Sequence, residues 1–403
     1  MDTHYVGCVL GTNKVYTARK RCVGRTRSLL NQENLSDNMT QTEYKIPHLR
    51  CLSIKGYKSI KSLELNMSAI NIMIGANGAG KSNFISLFTF LNQLSQGRLR
   101  TYVEQQGFAN TFFHFGAKHT PKINLKLDVG NNSYQVMFVH GANDDSLIFA
   151  EEYCTFTDSS MRLPVKGKLG ESGLLSVAEA VREDTRKYLA DCRVYHFHDT
   201  SASAGFKQAN ELSASDYLYK DAKNLASFLY RLRTDYLTTY QEIVSTIQTV
   251  APFFHDFYLE PRGRQGQILL KWLHRDHDET FSANQLSDGT ARFICLATLF
   301  LQPQELRPNT IVLDEPELGL HPASLEVLAD LIKSTAKENQ IICATQSVSF
   351  ANLFAPEEFI VVDQEQGVST FRRLDQSSLN HWLEDYGIGD LWNKNLIGGR
   401  PEW

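Results

Sequence analysis

The chain has 403 residues, 42% of them apolar and 21% charged; these ordinary globular proportions exclude a disordered, collagen-like or rod-like chain and leave room for one large α/β domain with an added lobe. Lys and Arg total 41 against 45 for Asp and Glu, a formal charge of -4, so no global field draws the chain to nucleic acid or to an anionic membrane. Seven cysteines with no C-x-x-C pair disfavour a disulfide framework or zinc knuckle, and the longest strongly apolar run, Phe293 to Leu301, is too short for a membrane span, so a cytoplasmic protein is expected.

Residues 1–47 are polar and lack sustained apolar periodicity, which predicts a weakly packed N-terminal extension. Residues 48–403 are expected to form one α/β head. Short runs at Leu52–Lys55, Ser62–Leu65 and Ile70–Ile74 have strand composition, and the last enters a glycine-rich turn followed by a helix over Gly80–Leu94.

That turn reads Gly75-Ala76-Asn77-Gly78-Ala79-Gly80-Lys81-Ser82, with Asn83 next, a complete G-x-x-x-x-G-K-S between strand and helix. Glycines let backbone N–H groups face phosphates, the helix N-terminus adds partial positive charge, Lys81 reaches the β and γ oxygens, and the Ser82 hydroxyl holds magnesium. ATP and Mg2+ are therefore the expected cofactors. The lone alternative, a chance glycine turn, explains neither flank.

Within 122–280 the segments Ile123–Asp128, Ser133–Val139 and Leu147–Tyr153, separated by turn clusters, predict an antiparallel meander. A helical insertion follows, with helical spacing at 174–190 and 222–250 and a short strand at Arg193–Phe197. His196 and His198 fall on one side of that strand. His274, Asp276, His277 and Asp278 crowd a polar turn, but without ligand spacing they point to a solvated loop rather than zinc. Gln105 and Gln106 are positional candidates for a magnesium contact, or simply a solvated helix end. Lys58 and Ser59 stand at a strand end, either near nucleotide or facing solvent.

From Asn284 onward helices alternate with strands at Thr310–Leu313, Ile341–Ala344 and Phe359–Val362, which predicts right-handed crossovers and a parallel sheet covered on both faces. Asn284-Gln-Leu-Ser287-Asp288-Gly289-Thr290 opens a helix with a hydroxyl and free N–H groups, either a second anion site or a plain N-cap. Arg292, one turn in, reaches a phosphate, a partner or an exposed acid. Thr310-Ile-Val-Leu-Asp314-Glu315-Pro316 ends an apolar strand in two carboxylates; Asp314 suits the metal, and Glu315 suits the base that polarises the attacking water.

Taken together, these motifs resemble ABC-type ATPase heads, with Asp288 and Thr290 at the third and fifth positions of the Leu-Ser-Gly-Gly-Gln signature. Asp314-Glu-Pro-Glu-Leu-Gly-Leu-His321-Pro322 resembles the RecF, SMC and OLD-like branch, and the stretch from Leu52 to Pro401 is most similar to bacterial ATPases labelled AAA15 or AAA21. The resemblance implies a phosphate-loop ATPase of ABC type: a mixed sheet with an antiparallel β lobe and inserted helices, and here no long coiled coil, since heptads are not sustained. It implies a homodimer with composite ATP sites, in which Ser287, Asp288 and Gly289 meet the γ-phosphate held by the other copy; a higher oligomer stays open. Where the family has a histidine beyond the next strand, this chain has Gln346, which hydrogen-bonds but does not titrate, so slow turnover is expected. Relatives are often found in bacterial anti-phage defence, implying a separately encoded effector such as a nuclease or toxin; the alternative is a RecF-like repair clamp that binds nucleic acid. A nucleotide kinase would lack the Ser287–Gly289 element.

Overall fold

The computed structural model describes residues 48–156, 162–165, 170–176, 180–263, 266–375, 379–383 and 386–400. The expected extension over residues 1–47, and Pro401 at the end of the family resemblance, lie outside the described residues. The described residues belong to one unit within Lys45–Trp403.

In chain order, strands β1 (Leu49–Tyr57), β2 (Ile60–Asn66) and β3 (Ile70–Gly75) lead to helices α1 (Lys81–Ser95) and α2 (Leu99–Gln105). Strands β4 (Lys122–Val129), β5 (Asn132–Gly141), β6 (Ser146–Phe156) and β7 (Arg162–Pro164) follow, then α3 (Ala180–Ala190) and β8 (Cys192–Tyr195). The middle holds β9 (Asn210–Glu211), α4 (Leu225–Asp235), α5 (Leu237–Val250), β10 (Phe254–Tyr258), β11 (Gln267–Ile268), β12 (Lys271–His274) and β13 (Thr280–Ser282). The last third is α6 (Asp288–Leu301), β14 (Thr310–Asp314), α7 (Pro322–Thr335), β15 (Gln340–Thr345), α8 (Val348–Ala351), β16 (Phe359–Glu365) and β17 (Val368–Arg373).

Two six-stranded sheets carry the molecule, ordered β2-β1-β4-β5-β6-β7 and β17-β16-β3-β15-β14-β8. The first is antiparallel, and the predicted meander is its continuation, since β4 pairs with β1 from Leu49↔Val129 to Lys55↔Asn124. In the second, β16, β3, β15, β14 and β8 run parallel and β17 closes one edge antiparallel.

Residues of the parallel sheet alternate between two cores, as a period of two requires. Ile72, Ile74, Ile311, Leu313, Ile341 and Cys343 pack with α4 to α8. Met73, Val312, Ile342 and Ala344 pack with α1 and the antiparallel sheet. Helix α1 is thus clamped between the sheets, and Phe84, Phe88 and Phe90 on it are fully buried. A rigid α1 fixes the loop that starts it. The insertion contributes more than helices: β8 joins the parallel sheet beside β14 by way of Thr310↔Cys192 to Leu313↔Tyr195. Among the described residues no helix is long and apolar enough to cross a membrane.

Candidate functional site

β3, β15 and β14 are neighbours in the sheet, and the segments carrying the candidate residues leave their carboxyl ends side by side. The loop after β3 needs glycine twice, because Gly78 and Gly80 have φ of +80° and +115°. A Cβ on Gly75 would also lie 2.3 Å from the Val362 carbonyl oxygen. Gly80 caps α1 without a side-chain bond, so the first-turn N–H groups stay open at the positive end of the helix dipole. Gln364 braces the loop by donating from Nε2 to the Gly78 carbonyl at 2.9 Å.

Lys81 Nζ folds back over the loop, donating to the carbonyls of Gly75 at 2.6 Å and Ala76 at 2.9 Å. Burial lowers its pKa, against the pull of Glu315, Asp314 and Glu317. Ser82 Oγ stands 3.4 Å from Asp314 Oδ2. Burial and the neighbouring Glu315 raise the Asp314 carboxyl, opposed by His196, His198 and Lys81. A hydroxyl and a carboxylate left short of positive charge form a hard-oxygen set that fits Mg2+.

Glu315 takes a left-handed φ of +44° while its N–H donates to the Ala344 carbonyl at 2.8 Å. For a residue other than glycine that conformation costs on the order of 1–3 kcal/mol, and such strain concentrates at functional sites. Its carboxylate accepts from Gln346 Nε2. Glu317, buried, accepts from Thr345 Oγ1 at 2.5 Å and from the Gln346 N–H at 3.2 Å, and burial raises its pKa. Glu317 therefore sets where Gln346 starts, a role that local reading of the Asp-Glu-Pro-Glu run did not reveal.

Ser287 is the N-cap of α6, its Oγ accepting from the Thr290 N–H at 3.2 Å and lying 2.8 Å from Thr290 Oγ1. Ser287 and Asp288 are exposed, and none of the described hydrogen bonds ties either to residues 75–83 of the same chain. Gly289 must be glycine, since a Cβ would lie 2.4 Å from the Gly319 carbonyl. This close approach seats the helix on the loop after β14, where His321 caps α7 by accepting from the Ala323 N–H at 3.3 Å. Leu318 in that loop is 49% exposed.

Several candidates sit elsewhere than expected. Arg292 is not at the surface: it is buried and donates to the carbonyls of Phe197 at 2.9 Å and His198 at 3.2 Å, with the exposed Asp288 acting on it electrostatically. That bond anchors the stretch after β8 and so holds His196 and His198 beside Asp314, whereas the sequence offered them only as a stray pair. Lys58 is half-buried; Nζ donates to Ser86 Oγ at 2.9 Å and lies 5.6 and 5.4 Å over the rings of Tyr57 and Phe112. With Ser59, Asn83 and Gln106 it lines a cavity of about 470 Å³, which Gln105 does not reach. Asn83 Nδ2 donates to Ser59 Oγ at 2.8 Å. Among the described residues no cluster of His, Cys, Asp and Glu is arranged to hold a metal by itself, His274–Asp278 included.

One further residue escaped sequence reasoning. The turn at Gly398 and Gly399, both near φ +80°, brings Arg400 to a cavity of about 360 Å³ lined also by Gly75, Ala76, Asn77, Gln346 and Trp392. Trp392 Nε1 donates to the Gly399 carbonyl at 3.1 Å and the Gly399 N–H to Asp363 Oδ1 at 2.6 Å, so the turn is held. The signal available was a Gly-Gly-Arg run at the far end of the chain.

Residues 70–352 match the family described as "AAA domain, putative AbiEii toxin, Type IV TA system". No curated protein matches in sequence. Among solved structures, the chain is similar to an Smc head bound to the C-winged helix domain of ScpA, with 18% identity, 83% of this chain and 100% of that chain covered, and a TM-score of 0.53. An Smc head with an extended coiled coil, bound to the C-terminal domain of ScpA derived from Pyrococcus furiosus, gives 16%, 84%, 99% and 0.48. The SMC head domain from Thermotoga maritima gives 16%, 81%, 99% and 0.44.

Proposed function

The chain belongs to this AAA domain family, with the fold of an ABC-type SMC head ATPase, and on that premise we propose that it binds ATP at Gly75–Asn83 and hydrolyses it in a homodimer whose two copies complete each other's sites. The observation that carries the reading is the meeting of three strand ends: the β3 loop with Lys81 and Ser82, the β14 end with Asp314 and Glu315, and the β15 end with Gln346.

The loop amides and Lys81 hold the phosphates, Lys81 leaving its two carbonyl partners to do so. Ser82 and Asp314 hold magnesium, which when bound neutralises charge developing on the transferred phosphoryl oxygens. Glu315 accepts the proton of the attacking water, and Gln346, bonded to the same carboxylate, orients that water. Arg400 faces the start of the loop and supplies a cation near the terminal phosphate.

The shared site is supported by the exposure of Ser287 and Asp288 and by their lack of a described bond to their own loop. An exposed α6 N-terminus, capped only by its own Ser287 and beside exposed Leu318, suits a second copy's γ-phosphate. The family description names a putative toxin and a toxin–antitoxin system; control of a separately encoded effector in anti-phage defence is our extension of the sequence resemblance. The test is mass by light scattering for Glu315→Gln in ATP and in ADP. A dimer in ATP alone is expected; a monomer in both, with ATP shown to be bound, sinks the closure model.

A further inference from the structure

β8 is the outer strand of the parallel sheet, paired among the described residues with β14 alone. Along it lies a cavity of about 560 Å³, whose lining includes Thr89, Gln93 and Gln96 from the second half of α1. Its volume falls in the range that holds nucleotide-sized ligands. Four cations line it, Arg98, Arg193, Lys220 and Lys223, against one carboxylate, Asp221. Arg98, Lys220 and Lys223 are exposed, and Lys223 Nζ lies 5.4 Å over the Tyr219 ring.

Arg193 and Tyr195 are two apart on the strand, so they fall on one side of it. Arg193 and the Tyr195 hydroxyl lie within hydrogen-bonding reach of each other, and beyond that contact neither Arg193 Nη1 nor the Tyr195 hydroxyl, both buried, meets an acceptor among the described residues. Burial pushes the Tyr195 phenol up to about 12, so it keeps its proton and remains a donor. Arg193 is otherwise held in place, with Nη2 3.3 Å from Asp191 Oδ1 and its guanidinium 4.4 Å from the centre of the Tyr217 ring. An unmade bond to a buried donor is costly. Two such donors side by side, under a rim of cations, lack one thing: an anionic acceptor.

We propose that this cavity binds a phosphate-bearing ligand of nucleotide size, its phosphate accepting from Arg193 Nη1 and the Tyr195 hydroxyl inside the ring of Arg98, Lys220 and Lys223. Tyr217, 44% exposed at the mouth, offers an aromatic face to a base. A free mononucleotide and the phosphorylated end of a strand share this chemistry.

The test is titration of the full-length chain carrying Lys81→Ala, which takes the phosphate loop out of competition, with adenosine monophosphate, a 5′-phosphorylated trithymidylate and inorganic phosphate. Binding of the mononucleotide identifies a free ligand, and tighter binding of the trinucleotide identifies a strand end. Tyr195→Phe keeps the ring and should weaken binding about 5- to 10-fold, as loss of one hydrogen bond predicts. Lys220→Gln with Lys223→Gln, both at exposed positions, should weaken it further and steepen the loss in salt. If none of the three probes binds, or if binding is indifferent to both sets of substitutions, the site is not there. The phosphate-loop reading is untouched by that failure, because it is tested separately, by ATP binding to the wild-type chain.

Discussion

The side-chain amide of Gln346 donates to the carboxylate of Glu315, joining the ends of two neighbouring strands, β15 and β14, across the point where water would be activated. The same glutamine is fixed at its backbone by Glu317. A glutamine cannot titrate, so it holds the Glu315 carboxylate in one orientation without exchanging a proton with it.

Glu315→Gln should retain ATP affinity and lose turnover by about 10²- to 10⁴-fold, the usual contribution of a general base. Gln346→Ala should lose less, and its loss should fall on kcat rather than KM. Steady-state phosphate release alongside nucleotide titration separates the two. Wild-type turnover in Glu315→Gln would remove Glu315 from the chemistry.

Lys81→Ala should weaken ATP binding about 10- to 100-fold, the value of roughly 1.5–3 kcal/mol for hydrogen bonds to a charged group. In the free protein the same substitution removes a buried cation that satisfies two carbonyls, so a small drop in Tm should accompany it. Retained affinity would refute the loop as the phosphate site.

Ser287→Arg should bind ATP and fail to hydrolyse it, because the lesion lies on the neighbour's nucleotide. Mixing it with Lys81→Ala places both lesions on one site of the mixed dimer and leaves the other site wild type. Activity should return to part of the wild-type level. Two inactive variants that stay inactive, with subunit exchange demonstrated, contradict the head-to-tail arrangement.

Glu317→Gln tests the buried carboxylate by pH. Burial raises the folded pKa of Glu317 above its ordinary 4.5, so keeping it ionised costs stability. Below that value both states hold the proton and the cost vanishes; as pH rises through the folded pKa the full cost appears. The Tm advantage of Glu317→Gln over wild type should therefore be small at acid pH and grow towards about pH 7. An advantage constant with pH would place the effect in packing.

Arg400→Ala should lower kcat several-fold while leaving the Tm near wild type, since Arg400 is exposed and the turn before it is held by Trp392 and Asp363. Arg400→Lys should recover part of the rate. Unchanged turnover would make the cavity it lines a bystander.

What could be read from the chain alone was everything whose cause is local. A glycine loop between an apolar strand and a helix, carboxylates ending an apolar strand, and a serine capping a helix are each specified within a few residues by backbone sterics and unpaired N–H groups. The parallel sheet followed from alternation of strands with helices, and its two cores from the period of two. Tertiary structure decided what depends on residues far apart in the chain. β8, separated from β14 by over a hundred residues, became its edge partner; Arg292 turned inward to carbonyls 95 residues away; His196 and His198 came to Asp314; and Gly399 folded back until Arg400 lined the cavity at Gly75. No local pattern encodes such meetings, because a long polar side chain has the same propensity whether it ends in solvent or in a buried bond, and only the packed core determines which acceptors lie within its reach.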